Sequence, residues 1–346
     1  MPYIQHLPKM KGVDDVVVVV PEVGLDERSA LGWDVKKWLQ TEGIRFVVAP
    51  WPDDVEELIE SYSDRDTWCL FSGINAFPEV AIWFRASLKY KVRRAVITEP
   101  PYVYEHPLWQ HTIRFALKDW RYVKFIDKIF VMGDEYLNYY RFWSKRWEVI
   151  SFMYCTEWRE RGDDANDNLN ANLKLLYVGS LSHRKNVSCL LKAAKLLGED
   201  EQRQMEIGIV GDGEERAVLE DMAARLKTAV RFYATQPMET IPEIMEQYDV
   251  LVLPSLHDGW GAVVNEALTL GLYVVCSDHC GAKMLLKSAD NGLVFKSDND
   301  KDLASKIRRC IQERDKIREG AMRRIDWSRE HVAGKAVASY FLSKLK

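Results

Sequence analysis

The sequence predicts an α/β protein with two doubly wound domains, and three observations lead to this prediction. Its 346 residues suit two domains of ordinary size. Short apolar runs alternate with helix-like stretches in both halves, as in parallel sheets covered by helices. A polar stretch rich in Asp and Asn separates the halves. We expect an N-terminal domain at 1–155, a linker at 156–172, a C-terminal domain at 173–325, and a C-terminal helix at 326–346 that packs back on the first domain.

The first half contains five apolar runs typical of buried parallel strands. They are Asp15–Pro21, Arg45–Ala49, Thr67–Ser72, Arg94–Thr98 and Lys128–Met132. Helical patterns between the early runs cover Ala30–Glu42, which Gly43 ends, and Val55–Tyr62. This alternation predicts a parallel sheet with helices on both faces.

The second half repeats the alternation with five more apolar runs. These are Lys174–Val178, Met205–Val210, Val230–Tyr233, Val250–Pro254 and Tyr273–Ser277. The helical patterns that follow them are Ser188–Leu197, Glu214–Leu226, Ile241–Gln247, Asn265–Leu270 and Leu303–Glu313. Ligands of such sheets bind beyond the carboxyl ends of the strands, so we expect a site in a central cleft that both domains face.

The bulk composition excludes several classes of protein. A net charge of -4 argues against a nucleic-acid partner. The longest apolar run, Val16–Val20, has the length of a strand, and the N-terminus lacks the apolar core of a signal peptide. We therefore expect a cytoplasmic protein. Cys276 and Cys280 flank His279, but no second ligand pair with matching spacing exists, so we expect no metal site.

Positive charge and aromatic residues are concentrated in one segment of the first half. Residues 83–146 hold 13 Lys and Arg against 6 Asp and Glu. Near the end of this segment, aromatic and basic side chains alternate: Tyr139, Tyr140, Arg141, Trp143, Lys145, Arg146 and Trp147. One interpretation is contact with an anionic membrane. The other, which we favour, is an amphipathic helix whose aromatic residues pack inward.

The first candidate site is Val178–Asn186 (VGSLSHRKN), where a strand ends at Gly179 and a helix follows. Backbone N–H groups at the start of a helix favour an anion. Arg184 and Lys185 add two cations that suit a phosphate. The alternative is a loop with two solvated cations.

A second candidate is the Gly-x-Gly of Val210–Glu214 (VGDGE). Glycine allows a backbone to approach a ligand closely. A dinucleotide fingerprint needs a third glycine, and Arg216 stands at that position. A tight turn between strand and helix is therefore the better interpretation.

The sharpest pattern lies in Pro254–Glu266. Gly259 and Gly261 permit a tight loop after a buried strand, and the amides at the following helix start form an anion cradle. Asp258 and Glu266 bracket this turn. Carboxylates accept hydrogen bonds from sugar hydroxyls, although isolated acids are usually just solvated.

A fourth candidate, Thr98–Pro107 (TEPPYVYEHP), follows a strand of the first half. Its two adjacent prolines make a rigid loop that carries Glu99 and His106. It either contacts an acceptor, meaning a substrate that receives a transferred group, or is an ordinary loop. Gly24, in an earlier polar loop, is a further acceptor candidate.

The second half resembles the C-terminal domain of the retaining GT-B glycosyltransferases grouped as family 4, which includes lipopolysaccharide-core enzymes and mannosyltransferases. The resemblance runs from Leu175 to about Leu303 through blocks such as LLYVGSLSHRKN, IGIVGDGEER and HDGWGAVVNEALTLGLYVV. It implies a GT-B fold and a metal-independent hexosyltransferase of polysaccharide biosynthesis. The implied reaction moves a sugar, with retention, from a UDP- or GDP-sugar to a hydroxyl of a glycan or lipid-linked glycan. No cofactor beyond the donor is implied. The basic, aromatic segment at 83–146 in turn suggests an acceptor at the inner face of the membrane.

The resemblance also implies roles for individual residues. Lys185, with Arg184, would bind the donor diphosphate, Asp258 the transferred sugar and Glu266 the ribose. The rest of the donor site would comprise Gly179, Ser180, Gly211, Tyr233, Ala234, Gly259, Trp260, Gly261, Ala262, Val263 and Val264. Three positions depart from the family pattern, because Asp258 replaces Glu, Ser180 replaces a frequent Arg, and Glu99 stands where many members have His.

Two other functions stay open on the sequence. One is a catalytically silent GT-B scaffold or partner subunit, which the departures at Asp258 and Glu99 allow. The other is an NAD-dependent oxidoreductase, which the missing third glycine disfavours.

Overall fold

The computed structural model describes residues 2–21, 38–48, 50–75, 77–101, 103, 106–158, 172–287 and 290–346. Gly24, most of the predicted helix at Ala30–Glu42 and most of the predicted linker lie outside these ranges. The chain forms two compact units. One comprises Met1–Met153 with Val337–Lys346, and the other comprises Tyr154–Ala336.

The described residues of the first unit form two parallel sheets. Strands β1 and β2 pair with each other, and β3 to β6 form a four-stranded sheet in chain order. Their bounds are β1 Val17–Val20, β2 Arg45–Val48, β3 Trp68–Ser72, β4 Arg93–Thr98, β5 Lys128–Met132 and β6 Glu148–Phe152. The predicted strand at Lys128–Met132 has the same bounds as β5, whereas β6 was not predicted.

Between these strands, the described residues form the helices α1 Pro52–Ser61, α2 Pro78–Ser87, α3 Leu108–Lys118 and α4 Leu137–Trp143. On and just after α4, Tyr140 and Trp147 are buried in the core, and Tyr139 and Trp143 pack against it while partly exposed. The structure therefore confirms that these aromatic residues pack inward. Burial removes Tyr140 and Trp147 from any contact with a membrane.

The C-terminal residues complete the core of the first unit. After α12 (Ala321–His331), the chain leaves the helix, Ala333 bridges Thr156, and α13 (Gly334–Leu345) begins. On α13, the Phe341 ring lies 5.3 Å from the ring of Tyr3 and 5.0 Å from that of Phe130, between centroids. The range predicted as one helix, 326–346, therefore contains parts of two.

The second unit is a six-stranded parallel sheet in the order β12-β11-β10-β7-β8-β9. Its strands are β7 Leu173–Val178, β8 Met205–Val210, β9 Ala229–Tyr233, β10 Val250–Leu253, β11 Tyr273–Ser277 and β12 Gly292–Phe295. Between them lie α5 Val187–Lys195, α6 Glu199–Arg203, α7 Arg216–Ala223, α8 Ile241–Met245 and α9 Val263–Thr269, and after β12 follow α10 Asp300–Gln312 and α11 Arg314–Glu319. The strand order reverses between β7 and β10, and such a switch point opens a crevice at the carboxyl ends of the two strands.

Candidate functional site

The loops after β7 and β10 meet at this switch point because their strands are neighbours in the sheet. The amide of Leu256 donates to the carbonyl of Arg184 at 2.9 Å. The Arg184 guanidinium donates in return to the carbonyl of His257 at 3.0 Å. Two loops that are far apart in sequence are thus joined, and Arg184 is held in place by the second loop.

Lys185 and Asp258 form an ion pair between these loops. Their side chains are only 16% and 13% exposed. Burial weakens the screening of a charge by water, so this pair interacts more strongly than a surface pair. The structure brings together the cation predicted to bind a diphosphate and the acid predicted to contact a sugar.

Backbone contacts fix Asp258 in turn. Its amide donates to the carbonyl of His279 at 3.1 Å, and its carbonyl accepts from the amide of Gly281 at the same distance. Asp258 and Cys280 thereby form an isolated parallel bridge. The carboxylate therefore projects from a backbone held on both sides.

The glycine turn that follows Asp258 has little free space. Gly261 has a φ of +90°, and a Cβ there would lie 2.7 Å from Cys280 Sγ and 2.8 Å from Leu253 Cδ2. The amide of Val264 donates to the carbonyl of Gly261 at 2.9 Å, which closes the first turn before α9. Ala262 is exposed and Val263 half-buried.

A buried hydrogen-bond chain supports this turn. The indole N–H of Trp260 donates to Asn265 Oδ1 at 2.7 Å, and Asn265 Nδ2 donates to the carbonyl of Tyr154 at 2.8 Å. Trp260 is therefore a supporting side chain, with its ring buried. Glu266 is half-buried in the first turn of α9.

The Gly-x-Gly after β8 serves the packing of two loops. A Cβ on Gly211 would lie 1.9 Å from the carbonyl oxygen of Gly179. Arg216, at the position of the missing third glycine, donates to the carbonyls of Gly211 at 3.2 Å and Tyr233 at 3.3 Å. The tight-turn interpretation therefore accounts for this motif.

Sequence reasoning missed Tyr177, which lies under the first loop. Its buried hydroxyl donates to the carbonyl of Ser180 at 2.8 Å. Burial raises the pKa of Tyr177, the Asp258 carboxylate raises it further, and Arg184 opposes the shift. The only signal in the sequence was a polar tip at the end of an apolar strand.

Cys276 and Cys280 lie beside the site as thiols. A hydrogen bond with Cys280 and complete burial both raise the pKa of Cys276. The Cys280 thiol donates to the carbonyl of Trp260 at 2.9 Å, and His279 Nδ1 lies 2.9 Å from the carbonyl of Leu256. Among the described residues, no group of three or more His, Cys, Asp and Glu side chains could hold a metal ion.

The predicted acceptor residues lie in the first unit. Glu99 is exposed, and its carbonyl accepts from the Tyr140 hydroxyl at 3.0 Å. His106 is exposed with its ring 6.1 Å from that of His111, between centroids. The side chains of Glu99 and His106 therefore both lie at the surface.

Comparison with known proteins bears on the second unit above all. Residues 161–324 match the family model described as glycosyl transferases group 1. This stretch contains the switch point and all residues of the candidate donor site.

Two relatives with curated names match part of the chain. One is a Campylobacter jejuni enzyme, GalNAc-alpha-(1->4)-GalNAc-alpha-(1->3)-diNAcBac-PP-undecaprenol alpha-1,4-N-acetyl-D-galactosaminyltransferase, at 30% identity over 196 residues, which are 55% of this chain and 53% of the relative. The other is the Escherichia coli O-antigen chain mannosyltransferase B, at 29% identity over 141 residues, 40% of this chain and 36% of the relative. The chain thus spans about half, or less, of these relatives.

A solved structure matches nearly the whole chain. The crystal structure of Anabaena Alr3699/HepE in complex with UDP has a TM-score of 0.69 at 15% identity, and the match covers 95% of this chain and 99% of the other. At this identity the likeness shows the fold alone. The fold is α/β of the GT-B class, with two Rossmann-like domains.

Proposed function

We propose that the chain transfers a sugar from a nucleoside diphosphate sugar to a hydroxyl of a glycan or lipid-linked glycan. The observation that carries this proposal is the meeting of Lys185, Arg184 and Asp258 at the switch point of a group 1 glycosyl transferase domain. Two cations and a carboxylate match a donor that consists of a diphosphate and a sugar.

Donor binding breaks the ion pair between Lys185 and Asp258, and each residue then binds the donor. The diphosphate accepts from Lys185, and Asp258, released from Lys185, accepts from a hydroxyl of the donor sugar. Arg184 lies next to Lys185 and adds a second positive charge. The side chain of Asp258 is one methylene shorter than that of the Glu usual at this position in the family that the chain resembles. The preferred donor sugar is therefore specific to this chain.

The chemical step separates charge. The leaving diphosphate gains negative charge while the sugar becomes oxocarbenium-like. Lys185, Arg184 and the amides around Gly261 to Val263 stabilise the diphosphate electrostatically. These cations supply the neutralisation, so the hexosyl transfer proceeds without a metal ion or a further cofactor. We place the attacking hydroxyl on the face from which the diphosphate leaves, so that its proton passes to the leaving phosphate oxygen and retention needs no protein nucleophile.

The rest of the donor lies along the same edge of the sheet. Glu266 accepts from the ribose hydroxyls, and Tyr233 and Ala234, at the end of β9, line the base pocket through their backbone. Gly179 and Ser180 form the wall beside the diphosphate. The base is uracil or guanine.

The acceptor belongs to the first unit in this proposal. Glu99 and His106 are exposed polar candidates there, and Gly24, outside the described residues, remains a third. The name of the Campylobacter relative refers to an undecaprenol-linked substrate. A lipid-linked acceptor would place the protein at the inner face of a membrane. No helix among the described residues is both long and apolar enough to span one.

A nucleotide screen by thermal shift tests the proposal, because a ligand that binds the native state raises its melting temperature. We expect UDP or GDP to raise it and NAD to leave it unchanged. A shift with NAD alone would support an oxidoreductase instead. No shift with any nucleotide, together with no diphosphate release from a panel of nucleotide sugars, would indicate a silent scaffold.

A further inference from the structure

Helix α3 carries a row of apolar side chains that the fold does not use. Trp109, Ile113 and Leu117 are 60%, 50% and 76% exposed. Their four-residue spacing places them along one face of the helix. α3 has no fully buried residue. Large exposed apolar patches commonly mark sites of interaction with a protein or a membrane.

Packing on the opposite side fixes this orientation. The ring of Phe115 lies 4.6 Å from that of Trp143 on α4, between centroids. The Phe115 ring is also 6.1 Å from that of Trp147, a buried core residue. Since Phe115 holds α3 against the core, the row of Trp109, Ile113 and Leu117 faces outward as a consequence of the fold.

Two neighbouring elements add apolar side chains. Trp120 begins the short 3-10 helix after α3 and is 64% exposed. Phe142 on α4 is 80% exposed, and its ring lies 5.6 Å from that of Trp143, between centroids. Five large apolar side chains thus lie exposed on adjoining elements.

Cations lie beside this apolar row. Arg114 follows Ile113 and Lys118 follows Leu117, so that they form a parallel row on α3, and both are exposed. Arg121, after Trp120, is also exposed. The Asp119 carboxylate among them is half-buried and accepts a hydrogen bond from Asn75. The cations therefore outnumber the acids at this surface.

We propose that these residues form a docking surface for an anionic lipid bilayer. The docking surface comprises Trp109, Ile113, Leu117, Trp120, Phe142, Arg114, Lys118 and Arg121. Tryptophan favours the membrane–water interface, and cations beside an apolar face favour anionic headgroups. With 11 residues, α3 is about 16 Å long, so it lies in the interface and does not span the bilayer.

This inference deepens the proposed function, because a docked first unit would meet a lipid-linked acceptor at the membrane. It differs from the membrane interpretation of the sequence, which relied on Tyr139, Tyr140, Trp143 and Trp147. Those residues pack inward, whereas α3 supplies the exposed face. Lipid binding itself requires no donor.

Cosedimentation of the full chain with vesicles tests the surface. One set of vesicles contains phosphatidylcholine alone, and the other contains phosphatidylcholine with an equal amount of phosphatidylglycerol. Ile113→Ser with Leu117→Ser removes apolar contact, and Arg114→Gln with Lys118→Gln removes two charges. The matched controls are Val218→Ser, at a residue 62% exposed on α7, and Lys301→Gln, at an exposed residue of α10.

We expect the unchanged chain to bind the anionic vesicles at low salt and to dissociate as salt rises. The apolar double variant should weaken the partition about tenfold, and the charge variant about 30-fold. Both controls should bind as the unchanged chain does. No binding to anionic vesicles, or equal weakening in the controls, would overturn the proposal.

Two further measurements distinguish a bilayer from a second copy of the chain, and the docking surface from the donor site. Size-exclusion chromatography without lipid reports self-association, and a dimer that the apolar variant dissociates, with no vesicle binding, would assign the surface to a second copy instead. UDP binding measured without vesicles reports the donor site. A chain that binds vesicles but no nucleotide would contradict the proposed function and leave the docking surface standing.

Discussion

Lys185 and Asp258 form a largely buried ion pair at the switch point of the second sheet, although 73 residues separate them. A diphosphate that binds Lys185 must therefore compete with Asp258 for this side chain. We expect Asp258→Asn to tighten UDP binding about tenfold, since Lys185 loses its neutralising partner. Sugar transfer should nevertheless fall about a hundredfold, because the carboxylate that orients the sugar is absent.

Calorimetry and a transfer assay on the same variant check this opposite pair of effects. Glu214→Gln, at an exposed acid of the loop after β8, is the control for a general change in local charge. Weaker UDP binding in Asp258→Asn than in Glu214→Gln would show that Asp258 supports the diphosphate itself.

Glu266 should recognise the ribose. Glu266→Ala removes a charged acceptor, so UDP affinity should fall about 10- to 100-fold. The affinity for 2′,3′-dideoxy-UDP should stay the same, because that ligand lacks the hydroxyls that donate to the carboxylate. The exposed Glu243→Ala is the control. Equal losses for both ligands would assign Glu266 a structural role.

Gly261 tests the geometry of the donor turn. Gly261→Ala adds a Cβ at a φ of +90° and within 2.7 Å of Cys280 Sγ. Gly12→Ala adds one at a φ of +89° with nothing within 4 Å, so it isolates the backbone strain. We expect a loss in the free energy of unfolding of about 1 kcal/mol for Gly12→Ala, and of about 2–4 kcal/mol for Gly261→Ala, where overlap adds to strain. Equal losses in urea unfolding would show that the turn accommodates a side chain.

The raised pKa values of two buried thiols predict that the folded chain becomes less stable at alkaline pH. Burial raises the pKa of Cys189 from 9.0 to about 12, and that of Cys310 from 9.0 to about 12. Above pH 9 the folded chain therefore binds more protons than the unfolded chain, so the free energy of unfolding falls as pH rises from about 9 toward 12. In urea unfolding across this range, Cys310→Ala should show a shallower fall. An unchanged slope would contradict the raised pKa of Cys310.

Much of the fold could be predicted from apolar runs. The predicted strands at Lys128–Met132, Met205–Val210 and Tyr273–Ser277 have the observed bounds, because strands buried on both faces leave a continuous apolar signal. Helix α3 left no such signal. Its residues Trp109, Ile113 and Leu117 face outward, so their spacing does not report burial in the core.

Less of the site could be predicted from the sequence. The side-chain chemistry of Lys185 and Asp258 indicated a phosphate and a sugar as ligands. Their ion pair, however, depends on the adjacency of β7 and β10, which no local sequence pattern encodes. The same holds for the hydrogen bond that Asn265 Nδ2 donates to the carbonyl of Tyr154, which lies 111 residues away in the sequence. The position of such a hydrogen bond follows from the tertiary fold and not from the local sequence.

In the proposed reaction, Lys185 neutralises the leaving nucleoside diphosphate. The most direct test of this role measures diphosphate release from the UDP- or GDP-sugar that the chain accepts, in the presence of EDTA, for Lys185→Ala and for the exposed Lys192→Ala on α5. We expect the first variant to lose about 10²–10³-fold in rate, with its fold intact by circular dichroism, and the second to keep the full rate. Unchanged release by Lys185→Ala, or equal losses in both variants, would contradict the account.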